Sequence, residues 1–439
     1  MIAKNLRVFA PIALAVATLL SACGGGGGSA PSEALCLALP EGASVRTEGD
    51  GSAWNDVLVD RAGRLWLAGH DGASAGVGGE PQGNTRAVLW RLDRTGALRW
   101  SSGDLFQTTG SDAFEALAED GGGVVHAVGR TTGAFAGRAN AGKADVFVTW
   151  SDAAASSGPW SLAQFGNERP QHPRRAAFQP GGALVVAGYD DEYIPTNHVV
   201  AWTDPFATAV VPRTSAGGAG EVALVWHHQF ATAEPDLIDG LAIATDGVST
   251  FVTGQFGGGE KGMFVRRLDA RGQAVWTARY SRLALDHIAA IVALPDGTLW
   301  LGGSVYGSFH GARALGQQDV FVARIDPMDG HVLAAWQFGT GEADWLADLR
   351  VDANGNLVLL GETTGAFDGA INPDGGTDLF ALRVSKDGRL IGARQWGAAG
   401  DESAARLAVD ACGNAVAVGS TMRDGFRRAL LWFWPAATR

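Results

Sequence analysis

One phrase recurs along this chain and limits its fold more than any other feature: a short apolar strand ending in Gly, at Gly69, Gly129, Gly188, Gly254, Gly302, Gly361 and Gly419. The intervals are 60, 59, 66, 48, 59 and 58 residues. A repeat of that period, made of short apolar runs and Gly/Asp turns, means one supersecondary unit copied around or along an axis, since a single unit cannot bury its apolar face alone. The chain holds 63 Gly and 16 Pro and has no long stretch of helical period, so the units read as β-structure.

The fullest copy starts at Leu349. A strand leads to Asp352, a turn through Asn354, Gly355 and Asn356 follows, and a second strand runs from Leu357 to Gly361. Then come Thr363-Thr364-Gly365-Ala366-Phe367, a third strand opening at Asp378 with Phe380 two residues on, and a close at Gln395-Trp396-Gly397. Thr131 to Phe135 repeats the first of these phrases. Asp145-Val146-Phe147 and Asp319-Val320-Phe321 repeat the second, and Gln164-Phe165-Gly166 and Gln337-Phe338-Gly339 the third. Alternating apolar positions give each unit four strands with a half-buried face. Nine residues ahead of the strand-ending Gly stand Asp60, Asp120, Asp352 and Asp410. Asp bonds its own backbone a few residues on, Gly adopts positive φ, and together they make a tight hairpin turn. The string from Asp352 to Asn356 also resembles the start of a calcium loop, but no Glu follows at the twelfth position to complete one, so it reads as a turn.

These residues resemble the SBBP repeat of bacterial seven-bladed β-propellers: an Asp-x-x-Gly-Asn turn, a strand ending Gly-x-Thr, an Asp-x-Phe strand and an aromatic-Gly close. The resemblance runs from Trp54 to the C-terminus and is strong in units two, five and six. Arg86, Asn197, Gly262 and Arg428 take the place of the third-strand Asp in units one, three, four and seven, and Gln179-Pro180-Gly181 replaces the first turn of unit three. The implied fold is all-β, a seven-bladed β-propeller of four-stranded antiparallel blades over residues 35–439. Blade seven runs out of chain after its third strand, Arg427 to Trp434. Its fourth strand is expected from the amino-terminal stretch Leu35 to Thr47, a closure that leaves no sheet edge open. Cys36 and Cys412 then both lie in blade seven and form a candidate disulfide in an oxidising envelope. Two buried free thiols are the alternative, because first and fourth strands lie on opposite sides of a blade. The segments Asp93 to Trp100 and Asp269 to Trp276 are similar to the tryptophan-docking phrase of quinoprotein propellers, which also occurs in a propeller lipoprotein of the outer-membrane β-barrel assembly machinery.

Residues 1–22 read as a secretion signal, with Lys4 and Arg7 ahead of a mostly apolar run from Val8 to Leu20 that is too short to span a bilayer comfortably. Leu20-Ser21-Ala22-Cys23 resembles a bacterial lipobox, which implies cleavage before Cys23 and lipidation of its thiol; an ordinary cut near Ala22 is the alternative. Residues 23–34, with Gly24 to Gly28, form a flexible tether that cannot pack. Gly24, where an Asp would favour the inner membrane, points the resemblance to the outer membrane, facing either the periplasm or the outside. Removing Lys4 and Arg7 with the signal takes the formal charge from −12 to −14. Nucleic acid is disfavoured by that balance, and the membrane is reached through the lipid alone.

The chemistry is sparse. Trp226, Trp276 and Trp336 share strand faces with Phe230, Tyr280 and Phe338, spacings that fit packing between blades. The His residues show no metal-ligand spacing, and no nucleophile motif is present, so no cofactor, metal or catalytic residue is implied. Asp190, Asp191, Glu192 and Tyr193 are expected in a loop on the face where propellers commonly bind ligands. There they could meet a basic partner or a cation, or stand as a solvated acidic loop. Thr203 to Gly220 reads as an insertion on the opposite face or as an irregular strand pair. The expected function is a non-catalytic, lipid-anchored binding or scaffold protein of the cell envelope whose partner is an envelope protein or a polysaccharide. The alternatives are an outer-membrane protein assembly scaffold, or an enzyme (lyase, lactonase or quinoprotein-like) with its site in the central channel.

Overall fold

The computed structural model describes residues 36–45, 51–72, 74–75, 81–82, 84–151, 159–194, 199–215, 219–230, 236–257, 262–280, 286–367, 376–397, 400–423 and 426–436. Cys23, the signal and the tether lie outside the described residues. Every regular element is a strand, and the strands form seven four-stranded antiparallel sheets plus one two-stranded ribbon, β4 (Ser74–Ala75) with β5 (Pro81–Gln82). Blade 1 is β2 (Ala53–Val59), β3 (Leu65–Asp71), β6 (Arg86–Leu92) and β7 (Leu98–Ser101), and blade 2 is β8 (Asp112–Glu119), β9 (Val125–Thr131), β10 (Asp145–Trp150) and β11 (Ser161–Phe165). Blade 3 comprises β12 (Gln171–Phe178), β13 (Leu184–Ile194), β14 (Val199–Thr214) and β15 (Gly220–Gln229). Blade 4 holds β16 (Asp236–Ile243), β17 (Thr250–Phe256), β18 (Gly262–Leu268) and β19 (Ala274–Arg279). In blade 5 the order is β20 (His287–Ala293), β21 (Leu299–Val305), β22 (Asp319–Ile325) and β23 (Val332–Phe338); in blade 6 it is β24 (Asp344–Val351), β25 (Leu357–Thr363), β26 (Asp378–Val384) and β27 (Leu390–Trp396). Blade 7 is β28 (Asp401–Val409), β29 (Ala415–Arg423), β30 (Phe426–Trp434) and, as its outermost strand, β1 (Gly42–Val45).

The first strand of each blade abuts the first strand of the next, from β2 to β28 and back to β2, so the sheets stand around one axis as a seven-bladed propeller. Ala43 pairs with Trp432 and Val45 with Leu430, which places the amino-terminal strand in the last blade. Ahead of β1 the chain crosses the blade. Leu37 N–H donates to Asp410 Oδ2 at 2.7 Å, and Cys36 is disulfide-bonded to Cys412, with Cα atoms 5.6 Å apart. Cys412 sits in the turn between β28 and β29, so an extended crossing segment, rather than the strands themselves, brings the two thiols together.

The core is divided among the blade interfaces. Buried side chains form seven clusters; one joins Leu37, Leu39, Val416 and Leu431 of the closing blade to Trp54, Leu65 and Trp90 of blade 1. Trp226 and Phe230 lie in the interface of blades 3 and 4, and Trp276 with Tyr280, and Trp336 with Phe338, pack against the next two. Each Trp also covers a Gly in the turn between the third and fourth strands of the following blade. A Cβ at Gly272 would lie 2.4 Å from the Trp226 ring, one at Gly330 2.8 Å from Trp276, and one at Gly388 2.0 Å from Trp336.

The repeated phrases have distinct structural uses. Asp60, Asp120, Asp352 and Asp410 each accept, through Oδ1, the N–H groups two and four residues on at 2.8–3.0 Å, closing the first hairpin of their blades. The side chain of Gln395 donates to Asp378 Oδ2 (2.7 Å) and to Gly365 O (3.0 Å) while accepting from Phe367 N–H (2.8 Å). Gln164 and Gln337 make the same three contacts in blades 2 and 5. Threonine-glycine loop, third-strand Asp and closing Gln are therefore one hydrogen-bonded knot. The strand-ending Gly is required because the first strand's carbonyl leans onto it: a Cβ at Gly69 would lie 2.0 Å from Ala53 O, and one at Gly361 2.2 Å from Trp345 O.

Two sequence-based assignments shift by register, and a third stretch is decided between its two readings. In blade 5 the Gly under that carbonyl is Gly303, 2.0 Å from His287 O, and not Gly302, which faces Leu346. In blade 3 the residue opposite Asp190 is Asp204, so Asp204-Pro205-Phe206, and not Asn197, is the third-strand phrase. Of the stretch Thr203 to Gly220, residues 203–214 belong to β14 and pair with β15 from Gly220 onward, with a register shift at Ala209/Val210, which is the irregular strand pair of the two readings and not a loop insertion.

Candidate functional site

The site is built by a defect shared by all seven blades. Each first strand carries a β-bulge beside the strand-ending Gly, and the extra residues are Asn55, Glu115, Arg174, Asp239, Ala289, Ala347 and Ala405. A bulge interrupts the ladder and re-aims side chains. Here it does so on the strands nearest the axis, whose axis-facing edge has no further strand to bond. Neighbouring blades cover part of that edge. Asp56 Oδ2 accepts Leu117 N–H of blade 2 at 2.7 Å, Asp348 Oδ2 accepts Leu407 N–H of blade 7 at 2.9 Å, and Glu362 Oε1 accepts Ala404 N–H at 2.7 Å.

At the centre lies a cavity of about 200 Å³ whose charged lining is Arg175, Arg350, Arg406 and Asp56. Two of these arginines reach across the ring. Arg175 of blade 3 donates from Nη2 to Ala289 O of blade 5 at 2.9 Å, and Arg406 of blade 7 donates from Nη2 to Arg174 O of blade 3 at 3.3 Å. Arg350 instead pairs with Asp348, Nη1 to Oδ1 at 2.8 Å. Burial holds Arg175 down to about 10, so it remains cationic at neutral pH, while burial pushes the Asp56 carboxyl up to about 6 against the pull of Arg350 and Arg175.

Beside the channel, blades 1 and 2 contribute a second polar group. Asn55 Nδ2 lies 3.5 Å from His70 Nδ1 and donates to Phe114 O at 2.8 Å; Glu115 accepts from Arg130 Nε at 3.1 Å. Burial lowers the pKa of His70 and keeps its ring neutral.

The acidic run expected in a loop lies in strand β13, paired with β14 from Asp190 opposite Asp204 to Tyr193 opposite Val200. Asp190 is fully buried, accepting from Asn167, Gln171 and Gln229 at 3.1–3.2 Å, and burial raises its pKa. Asp191 is bonded to His172 Nε2 at 2.7 Å. The side chains of Glu192 and Tyr193 lie outside the described residues. Long paired strands displaced the loop because Tyr189–Ile194 finds a full partner in Val199–Pro205. Among the described residues Asp326, Asp329 and His331 come together in the turn between β22 and β23, where turn bonds from Met328 N–H and His331 N–H already engage the two carboxylates.

The channel arginines escaped sequence reasoning, yet a signal was present for one of them. At the first position after the bulge the seven blades carry Asp56, Ala116, Arg175, Gly240, Ala290, Asp348 and Arg406, and two residues further Leu58, Ala118, Ala177, Ala242, Val292, Arg350 and Ala408. At the second of these positions Arg350 stands against six small or apolar side chains, whereas the first position holds four charged residues of seven, so Arg175 and Arg406 do not stand out there.

No family model matches the chain, and no curated protein sequence does. Among solved structures it is similar to Sqt1 from Chaetomium thermophilum, at 10% identity over 89% of this chain and 98% of that one, TM-score 0.47. The periplasmic gluconolactonase PpgL of Pseudomonas aeruginosa follows at 14% identity, covering 85% of this chain and 100% of that one, TM-score 0.46. The polysaccharide lyase Uly1 matches at 10% identity over 87% and 90% of the two chains, TM-score 0.46. These are likenesses of shape between distant chains and say nothing of activity.

Proposed function

We propose that this chain is a non-catalytic binding protein of the bacterial cell envelope, an SBBP-type propeller anchored by lipid on Cys23, probed through a rigid ring by an envelope protein or a polysaccharide. The observation that carries the binding reading is the axial cavity. It is preformed by seven mutually packed sheets, and two of the charges on its wall, Arg175 and Arg406, make no ion pair among the described residues. The envelope address is supported by the Cys36–Cys412 bond, since disulfides persist in oxidising compartments.

The test is metabolic labelling with radioactive palmitate, membrane fractionation, and crosslinked capture from intact cells. The wild type is expected in the membrane fraction, labelled and with a recurrent envelope partner, and Cys23→Ser should lose both label and membrane association. A chain found unlabelled in the cytosol with Cys36 and Cys412 reduced would refute the reading.

A catalytic role beside the channel is the second reading, favoured by His70, which burial keeps neutral and which lies 3.5 Å from Asn55. It requires turnover of a captured ligand that His70→Gln abolishes while ligand binding survives.

A further inference from the structure

We propose that the axial cavity is a binding site for a small oxyanion, a carboxylate or phosphate group, held between Arg175 and Arg406 with Arg350 beside it. This rests on the binding reading above and names the chemistry of its ligand.

The charge on the cavity wall is unbalanced. Three guanidinium groups face one carboxylate, Asp56, whose two oxygens are already taken by Val57 N–H at 2.8 Å and Leu117 N–H at 2.7 Å. Asp348 supplies a counter-charge to Arg350 and also binds Leu349 N–H and Leu407 N–H, which uses three of its about four acceptor sites. Arg175 and Arg406 bond only neutral carbonyls: Ala289 O for the first, Ala405 O and Arg174 O for the second. Arg175 Nη1 and Arg406 Nε, both buried, have no hydrogen-bond partner among the described residues, so the protein leaves both groups short of acceptors. Asp348 and Asp239 act on Arg175 through charge alone, with no hydrogen bond to it, and a guanidinium left short of acceptors is satisfied best by a planar or tetrahedral oxyanion taken bidentately.

The placement is specific to these residues. The chain as a whole carries a formal charge of −12, so a cationic pocket at its axis is not the overflow of a basic surface. Arg175 leaves blade 3 toward blade 5 and Arg406 leaves blade 7 toward blade 3, so the two groups approach from different sides of the ring. A cavity of about 200 Å³ admits a small molecule or one end-group, not a polymer strand.

The experiment is calorimetric titration of the purified, oxidised full-length chain at fixed ionic strength with inorganic phosphate, malonate and glucuronate, and with chloride as the control. The expected result is saturable one-to-one binding of at least one oxyanion, with none for chloride, and a rise in Tm that grows with ligand concentration. Glucuronate alone would assign a sugar-acid end-group, and phosphate or malonate a free small anion. Arg175→Gln and Arg406→Gln should each weaken binding at least tenfold, and Arg175→Lys, which keeps the charge but loses the fork, should weaken it less. Both Gln variants remove an unpaired charge, so they are expected to fold; as a check independent of them, wild-type crystals soaked in tungstate should show the heavy anion between Arg175 and Arg406. No saturable binding by any of the three oxyanions, or unchanged affinity in both Gln variants, overturns the inference. If the chain still captures its envelope partner in that case, the binding reading stands without it. If capture fails while oxyanion binding and its arginine dependence hold, only the reading of the partner falls.

Discussion

The Cys36–Cys412 bond offers the sharpest test of how the ring is held closed. Replacing both residues by Ser removes a cross-link spanning 376 residues of sequence. In the chain-entropy account, releasing a loop of that length from the unfolded ensemble costs the folded state at most about 6 kcal/mol. A chain of this size gains unfolding entropy at about 2.1 cal/mol/K per residue, so the loss corresponds to a fall in Tm of about 7 °C. The native ring itself should stay shut. Leu37 and Leu39 remain buried at the blade 7 and blade 1 interface, Leu37 N–H keeps Asp410, and β1 keeps its four pairings with β30. Differential scanning calorimetry of the oxidised wild type, the wild type with reductant and the double Ser variant should therefore give one high Tm and two matching lower ones, with oxidation verified by intact mass. A fall below about 1 °C would refute the reasoning, because the unfolded chain would then gain nothing from release. A variant that no longer folds would refute it differently, by showing that the bond positions β1 instead of restraining the unfolded chain.

Two further outcomes follow from the turns and the channel. Gly388→Ala should destabilise by about 2–4 kcal/mol, since its new methyl would lie 2.0 Å from Trp336 in addition to the positive φ, whereas Gly355→Ala, with φ of 79° and open space around it, should cost only about 1 kcal/mol; urea unfolding of the pair checks the difference. For Asp56, burial lifts the folded pKa to about 6 from 3.8, so the folded state binds the extra proton and stability falls as pH rises from about 4 to 6. Arg350 and Arg175 face this carboxyl from across the channel, and Glu115 lies on the neighbouring strand of blade 2. Asp56→Asn should flatten that part of the pH–stability curve by up to about 3 kcal/mol, and an unchanged slope between pH 4 and 6 would count against the burial argument.

The fold was legible because its determinants are local and repeated. A Gly under a carbonyl, an Asp-Gly turn and, in blades 2, 5 and 6, an Asp–Gln knot each leave a fixed spacing, and repetition makes the spacing visible even where single blades depart from it. Register was less legible. Gly302 and Gly303 are adjacent, and only the pairing of Gly303 with Ile288 decides which one meets the carbonyl. In blade 3 the third-strand phrase was hidden because Pro205 interrupts it and because the hairpin beyond it lengthens the spacing from Gly188. The channel was not legible, since its residues lie on seven strands spread from residue 55 to residue 406 and meet only when the ring closes. An arginine that reaches another blade's carbonyl, 114 or 232 residues away, leaves no trace in its own repeat.

The order of attachments at the amino end decides where a pull on the chain is felt. Tension arriving from residues before Cys36 meets a covalent bond to the innermost hairpin of blade 7 before it meets β1, the four-residue outer strand. The load enters beside the axis, where sheets press on both flanks, and a four-residue edge strand is shielded from peeling. A molecule tugged by its leading end would thus swivel as a solid body instead of unzipping.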